Sequence, residues 1–156
     1  VFTAHSIPTS MAATSPYVDQ LRQACGWVAG DLGIDGFDLV WQSRSGPPQV
    51  PWLEPDVADF LASIPTDRPV LLVPIGFVSD HMEVVWDLDH EAAAVAERRG
   101  ITLRRARTPQ DHPAFAALVA DLLQERLDPT RPRPVRGGGA PWPDRCAPEC
   151  CPAPRR

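Results

Sequence analysis

His5 closes the apolar run Phe2-Thr3-Ala4 and precedes Ser6-Ile7-Pro8. At the end of a strand a neutral imidazole can ligate a divalent metal or accept a proton near neutral pH; a lone histidine there can equally be a structural residue. A second group follows the most apolar stretch of the chain: Gly76-Phe77-Val78-Ser79-Asp80-His81-Met82-Glu83, continuing to Asp87 and Glu91. A spacing of four places Glu83, Asp87 and Glu91 along one face of a helix. Like charges at that interval cost about 0.2–0.5 kcal/mol per pair unless a cation or protons compensate them, so the ladder points to cation or proton traffic. Two plainer readings stand beside it. Asp80 and Glu83 have capping-box spacing, and Asp87, Asp89 and Glu91 can form a solvated face. Met82 and Trp86 read as core or pocket-wall residues.

A third segment, Trp41-Gln42-Ser43-Arg44-Ser45-Gly46-Pro47-Pro48, leads through Pro51-Trp52-Leu53 to Glu54. Prolines and aromatics make such a loop rigid, which suits a planar ligand or plain loop packing equally. Of the four cysteines, Cys25 lies among apolar helix positions and reads as a small core hydrophobe. Cys146, Cys150 and Cys151 crowd the C-terminus.

The elements that must position these groups alternate between short apolar runs and segments of helical period, the pattern of a parallel sheet with crossover helices. Strands are expected at residues 1–4, 37–42, 70–75 and 101–106. Helices are expected at 15–32, ending before Gly33, and at about 55–64, 79–99 and 113–127. The run at 70–75 is the candidate for a strand buried on both faces. Four such βα units make one α/β, Rossmann-like domain over 1–127. All three chemical segments follow strands, where an open parallel sheet places its ligand crevice. Beyond Leu127 the chain turns to proline, glycine and cysteine, and residues 128–156 read as a tail without a packed core.

Composition narrows the function classes. With 156 residues, 44% of them hydrophobic, the chain suits one globular domain, and no apolar run is long enough to span a bilayer. A net charge of −5 and scattered arginines argue against a nucleic-acid partner. The expectation is a soluble, cytoplasmic protein. Val1 opens within an apolar run with no charged region ahead of it, which reads as a strand entered midway and raises the expectation of a preceding portion.

Taken together, the segments at 2–8, 41–53 and 74–91 resemble the C-terminal half of the ferrochelatases, in order, spacing and strand context over about residues 1–127. The resemblance implies a three-layer, chelatase-like fold of two similar Rossmann-like domains with a porphyrin cleft between them, this chain being the second. It implies Fe(II) as substrate, a porphyrin partner and an N-terminal half of the same enzyme. His5 and Glu83 would be catalytic and would face each other across the macrocycle. His5, Glu83, Asp87 and Glu91 would handle metal, with a second divalent cation on the ladder, and Ser6, Trp41, Gln42 and Phe77 would line the porphyrin pocket. The ladder would run along a helix with a π-helical stretch. In several lineages of the family a C-terminal [2Fe–2S] cluster is held by four cysteines; Cys146, Cys150 and Cys151 resemble three of these ligands, the fourth lying in the other half, while a cluster-free or zinc-scavenging tail is the plainer reading. The acidic composition and Cys-bearing tail look most like the actinobacterial type, whose substrate is coproporphyrin III; protoporphyrin IX is the alternative, and a catalytically silent porphyrin- or metal-binding half is another.

Overall fold

The computed structural model describes residues 1–148 and 150. Strands β1 (Phe2–His5) and β2 (Leu39–Gln42) pair in parallel, with His5 opposite Gln42. Strands β3 (Val70–Leu72) and β4 (Leu103–Arg105) form a second parallel pair. A parallel bridge between Phe2 and Val73 joins the pairs, so β1 and β3 run side by side. The helices are α1 (Thr9–Ala12), α2 (Tyr17–Asp31), α3 (Val57–Ser63), α4 (Met82–Val84), α5 (Ala93–Arg99) and α6 (Pro113–Leu127), with a π-helical stretch, Val85–Ala92, between α4 and α5. The architecture is α/β with small parallel sheets.

Strand alternation divides the core. Val40, Val70 and Leu72 pack with Val57 and Leu61 of α3 and with Val84, Leu88, Ala92 and Ala96 of the long helical segment. Phe2 packs instead with Cys25 and Ala29 of α2, flanked by Leu39 and Val73. Cys25 is thus the core hydrophobe its neighbours indicate, and burial pushes its thiol up to about 11.

Three expectations need correction. The strand at 70–75 is not buried on both faces, because Leu71 is 47% exposed. Alternation turns it away from the core that Val70 and Leu72 join, and α6, the last helix in the chain, buries no residue. Leu118, Val119, Leu122, Leu123 and Leu127 of α6 are exposed accordingly. Second, helical structure begins at Met82 rather than 79, because Asp80 is engaged elsewhere, as described below. Third, α1 forms a short turn of helix that apolar periodicity did not signal.

Candidate active site

Adjacency of β1 and β3 brings the two separate chemical segments to one edge of the sheet. Thr3 N–H donates to Val73 O at 2.9 Å, and Gly76 N–H donates to Thr3 O at 3.2 Å. His5 Nε2 and Glu83 Oε1 consequently lie 3.5 Å apart, with side chains 34% and 44% exposed. They occupy one side of the site; a macrocycle cannot pass through that gap, which corrects the expectation that they face each other across it. The separation follows from the sheet order, since neighbouring parallel strands end at the same edge.

The His5 ring is oriented by its own backbone neighbour. Nδ1 is 2.5 Å from Ser6 O, and a carbonyl only accepts, so Nδ1 carries the proton. In a neutral imidazole Nε2 is then a bare lone pair turned toward a carboxylate. Two acceptors at this distance repel unless a proton or a metal cation comes between them. Such a pair has the chemistry to hold one or the other between its two atoms. Tyr17 Oη donates to His5 O at 2.9 Å, and Ser6 Oγ donates to Leu53 O at 2.8 Å, so helix α2 and the loop after β2 fix the strand end.

Glu83 is free for this role because Asp80 and Glu83 do not form a capping box. His81 occupies the N-cap position with no side-chain cap. Asp80 accepts instead from Arg105 Nη1 at 3.0 Å, Thr108 N–H at 3.3 Å and Gln110 Nε2 at 2.7 Å. Burial alone raises its pKa, but the bonds from Thr108 and Arg105 outweigh it and hold the carboxyl below its ordinary value. A depressed carboxylate stabilises the fold above its unfolded pKa of about 4, and that contribution is lost as pH falls through the folded value. Asp80→Asn is expected to cost about 1–3 kcal/mol at pH 7. Urea denaturation of both proteins should show the difference shrinking below about pH 4; a gap independent of pH would count against this clamp.

The rest of the ladder is mixed: Asp89 and Glu91 are exposed, as a solvated face requires, while Asp87 is half-buried. Asp89 accepts from Arg105 Nε at 2.6 Å and Nη2 at 2.7 Å. Asp87 accepts from Gln42 Nε2 at 3.2 Å and from the Ser43 hydroxyl. With Glu91, Asp56 and Ser43 it lines a cleft of about 160 Å³. Asp56 caps α3 through the Ala58 N–H at 2.8 Å. Burial pushes its carboxyl up, and the charges of Asp59, Asp87 and Glu91 reinforce the shift against that bond. Neither Ser43 nor Asp56 was picked out as a site residue from the sequence, although an Asp just before an apolar helical run is a legible cap signal.

Of the side chains expected to wall a porphyrin pocket, Ser6, Trp41 and Gln42 are buried within the chain, Ser6 bonded to the loop after β2. Phe77 is half-buried, edge-on to His81 with ring centroids 5.5 Å apart. The loop at 43–54 is stitched back on residues 6–9 by Leu53 N–H to Ile7 O and Thr9 N–H to Pro51 O, both at 3.0 Å, and is packed as a loop.

In the tail, hydrogen bonding with Cys150, first among its causes, pushes the Cys146 thiol up. Cys151 lies outside the described residues. Cys25 is enclosed in the core, so the described tail brings two thiols together where a [2Fe–2S] cluster takes four ligands. By itself that set does not complete the cluster's ligands. Among the described residues no helix is long and apolar enough to cross a membrane.

Comparison with known proteins places this geometry. The family model described as Ferrochelatase matches residues 1–127. The chain is 48% identical to a ferrochelatase of Rhodopirellula baltica over 97% of its own length and 44% of the relative's. It is 48% identical to a coproporphyrin III ferrochelatase of Mycolicibacterium smegmatis, over 96% of this chain and 48% of the relative. A coproporphyrin III ferrochelatase of Nocardia farcinica is 45% identical over 100% of this chain and 48% of its own. The chain spans about half the length of the curated relatives it matches.

Proposed function

The chain belongs to the ferrochelatase family, and from that premise we propose that it forms the metal-handling half of a cytoplasmic enzyme inserting Fe(II) into coproporphyrin III. The observation that carries the proposal is the 3.5 Å approach of His5 Nε2 to Glu83 Oε1 at the sheet edge. Metallation exchanges two pyrrole N–H protons for one divalent ion. Imidazole nitrogen is a good Fe(II) ligand, and carboxylates can take water's place around the ion or accept protons. His5 contacts the metal and a pyrrole nitrogen; Glu83 accepts protons; Asp87 and Glu91 pass them outward or hold a second cation. The relatives' names favour coproporphyrin III over protoporphyrin IX. In this reading the chain is the second of two similar three-layer domains, and the exposed half-site is closed by the first.

The test is anaerobic Fe(II) insertion by the full-length enzyme, with coproporphyrin III and protoporphyrin IX compared. A higher kcat/KM for coproporphyrin III is expected; a preference for protoporphyrin IX refutes the substrate assignment, and turnover of neither refutes the activity. Labile sulfide in the same preparation reports whether Cys146, Cys150 and Cys151 join a cluster. Because the chain is half the relatives' length, the isolated 156-residue chain is expected to bind metal without turnover.

A further inference from the structure

Glu83 stands in the first turn of a helical segment that has no fastening of its own at that end. The chain before it runs as turns and irregular loop, and His81 at the N-cap position makes no side-chain bond to the helix. Arg105 supplies the fastening from the sheet. It closes β4 opposite Leu72 of β3 and donates from Nη1 to Asp80 Oδ1 at 3.0 Å. Its Nε and Nη2 form a fork onto the two oxygens of Asp89, at 2.6 and 2.7 Å. Asp80 precedes the helix and Asp89 lies within the π-helical stretch, so the guanidinium grips the segment on both sides of Glu83. The far end of the same helix is held differently. Arg99 donates to Ala62 O and, at 2.7 Å, to Ile64 O, which fastens it to the end of α3.

Attachment to the sheet bears on the chemistry because His5 is on the sheet. Ala106 N–H donates to Leu72 O at 2.8 Å and ties β4 to β3, while Thr3 N–H donates to Val73 O at 2.9 Å and ties β3 to β1. His5 ends that strand. The Arg105 side chain is 15% exposed, and an ion pair withdrawn from water stabilises a fold little, since desolvation offsets the attraction. What a planar fork held at three points does supply is a fixed geometry. We infer that Arg105 is a positioning residue of the metal-insertion reaction: by clamping Asp80 and Asp89 to the sheet it sets the distance between Glu83 and His5. The inference rests on the ferrochelatase reading and assigns to that reaction a residue that acts through Glu83.

Arg105→Lys keeps the charge and loses the fork, since an ammonium is a point donor that cannot bridge both carboxylates in one plane. Arg99→Lys is the control, because it loosens the same helix at the end away from the dyad. Both are made in the full-length enzyme and compared by melting temperature and by anaerobic Fe(II) insertion into coproporphyrin III. Each should melt below the wild type, but only Arg105→Lys should lower kcat, by about 10- to 100-fold, as a misplacement of up to about 1 Å predicts. KM for the porphyrin should stay within about twofold. In a Glu83→Gln background Arg105→Lys should lower the residual kcat no further, because the arginine acts through Glu83. Asp89→Asn opens the fork from its more exposed side, leaves Asp80 in place and should repeat the kcat loss in smaller measure, which keeps the test open if Arg105→Lys fails to fold. The positioning role is overturned if the folded Arg105 or Asp89 variant keeps kcat within about twofold of the wild type. An equal kcat loss in Arg99→Lys, or a further loss on the Glu83→Gln background, overturns it as well. In each of these cases the wild type still turns over and the ferrochelatase reading stands; a wild type that metallates no porphyrin overturns both.

Discussion

Glu83→Gln is expected to abolish at least about 99% of iron insertion while leaving the fold as stable as before or slightly more so, a combination that follows from the acceptor pair at the sheet edge. In the wild type, His5 Nε2 and Glu83 Oε1 face each other at 3.5 Å, and Nδ1 is committed to Ser6 O. Glutamine keeps the side-chain length but supplies an N–H, which can donate to the Nε2 lone pair. The substitution therefore keeps a partner for Nε2, as a neutral hydrogen bond worth about 0.5–1.5 kcal/mol. That same bond occupies the nitrogen needed for metal or proton, and it removes the carboxylate that receives charge. His5→Ala should lose activity to a similar degree, with a stability change within about 1 kcal/mol, since the ring is partly exposed. Initial rates under anaerobic conditions, paired with melting temperatures, separate the two effects. Near-normal metallation by either variant would remove the dyad from the mechanism, and clear destabilisation by Glu83→Gln would show that the carboxylate serves the fold instead.

What the sequence disclosed of this arrangement depended on the range of the interactions. The parallel α/β pattern was legible because β1, β2 and β3 are short apolar runs and α2 carries Cys25 and Val28 at helical spacing, which are local signals. His5 and Glu83 could each be singled out, yet their contact depends on β1 lying beside β3, a pairing that no local window contains. The capping-box reading of Asp80 failed for the same reason: its donors come from Arg105, Thr108 and Gln110, which sequence spacing does not connect to it. The π-helical stretch followed from family resemblance and not from periodicity, since an apolar repeat cannot reveal a register change within a helix. Helix α6 shows the converse limit. Its period was clear, but period alone does not say whether an apolar face is covered.

Gly76→Ala should damage both the fold and the site, and by more than a methyl group ordinarily does. A Cβ at Gly76 would stand 2.7 Å from Ala4 Cβ and 2.9 Å from Ala4 Cα, so the collision is with strand β1 itself and not with a side chain that can turn away. Ala4 is 0% exposed and hemmed in by its neighbours. Overpacking of this kind costs about 1–3 kcal/mol. The segment after β3 must then lift from β1 one residue before His5, carrying the start of the Glu83 helix with it. A misplacement of about 1 Å between reacting groups can lower a rate about 100-fold, so metallation should fall further than the loss of folded protein explains. Ala4→Gly tests the steric cause directly, because it removes the atom that is struck first. Alone it should cost about 0.5–1 kcal/mol, as glycine does within a strand. Combined with Gly76→Ala it should recover part of both stability and activity, giving a coupling energy of opposite sign to the single losses. Strict additivity of the two substitutions would mean that the close approach of the loop to β1 does not set the distance between His5 and Glu83.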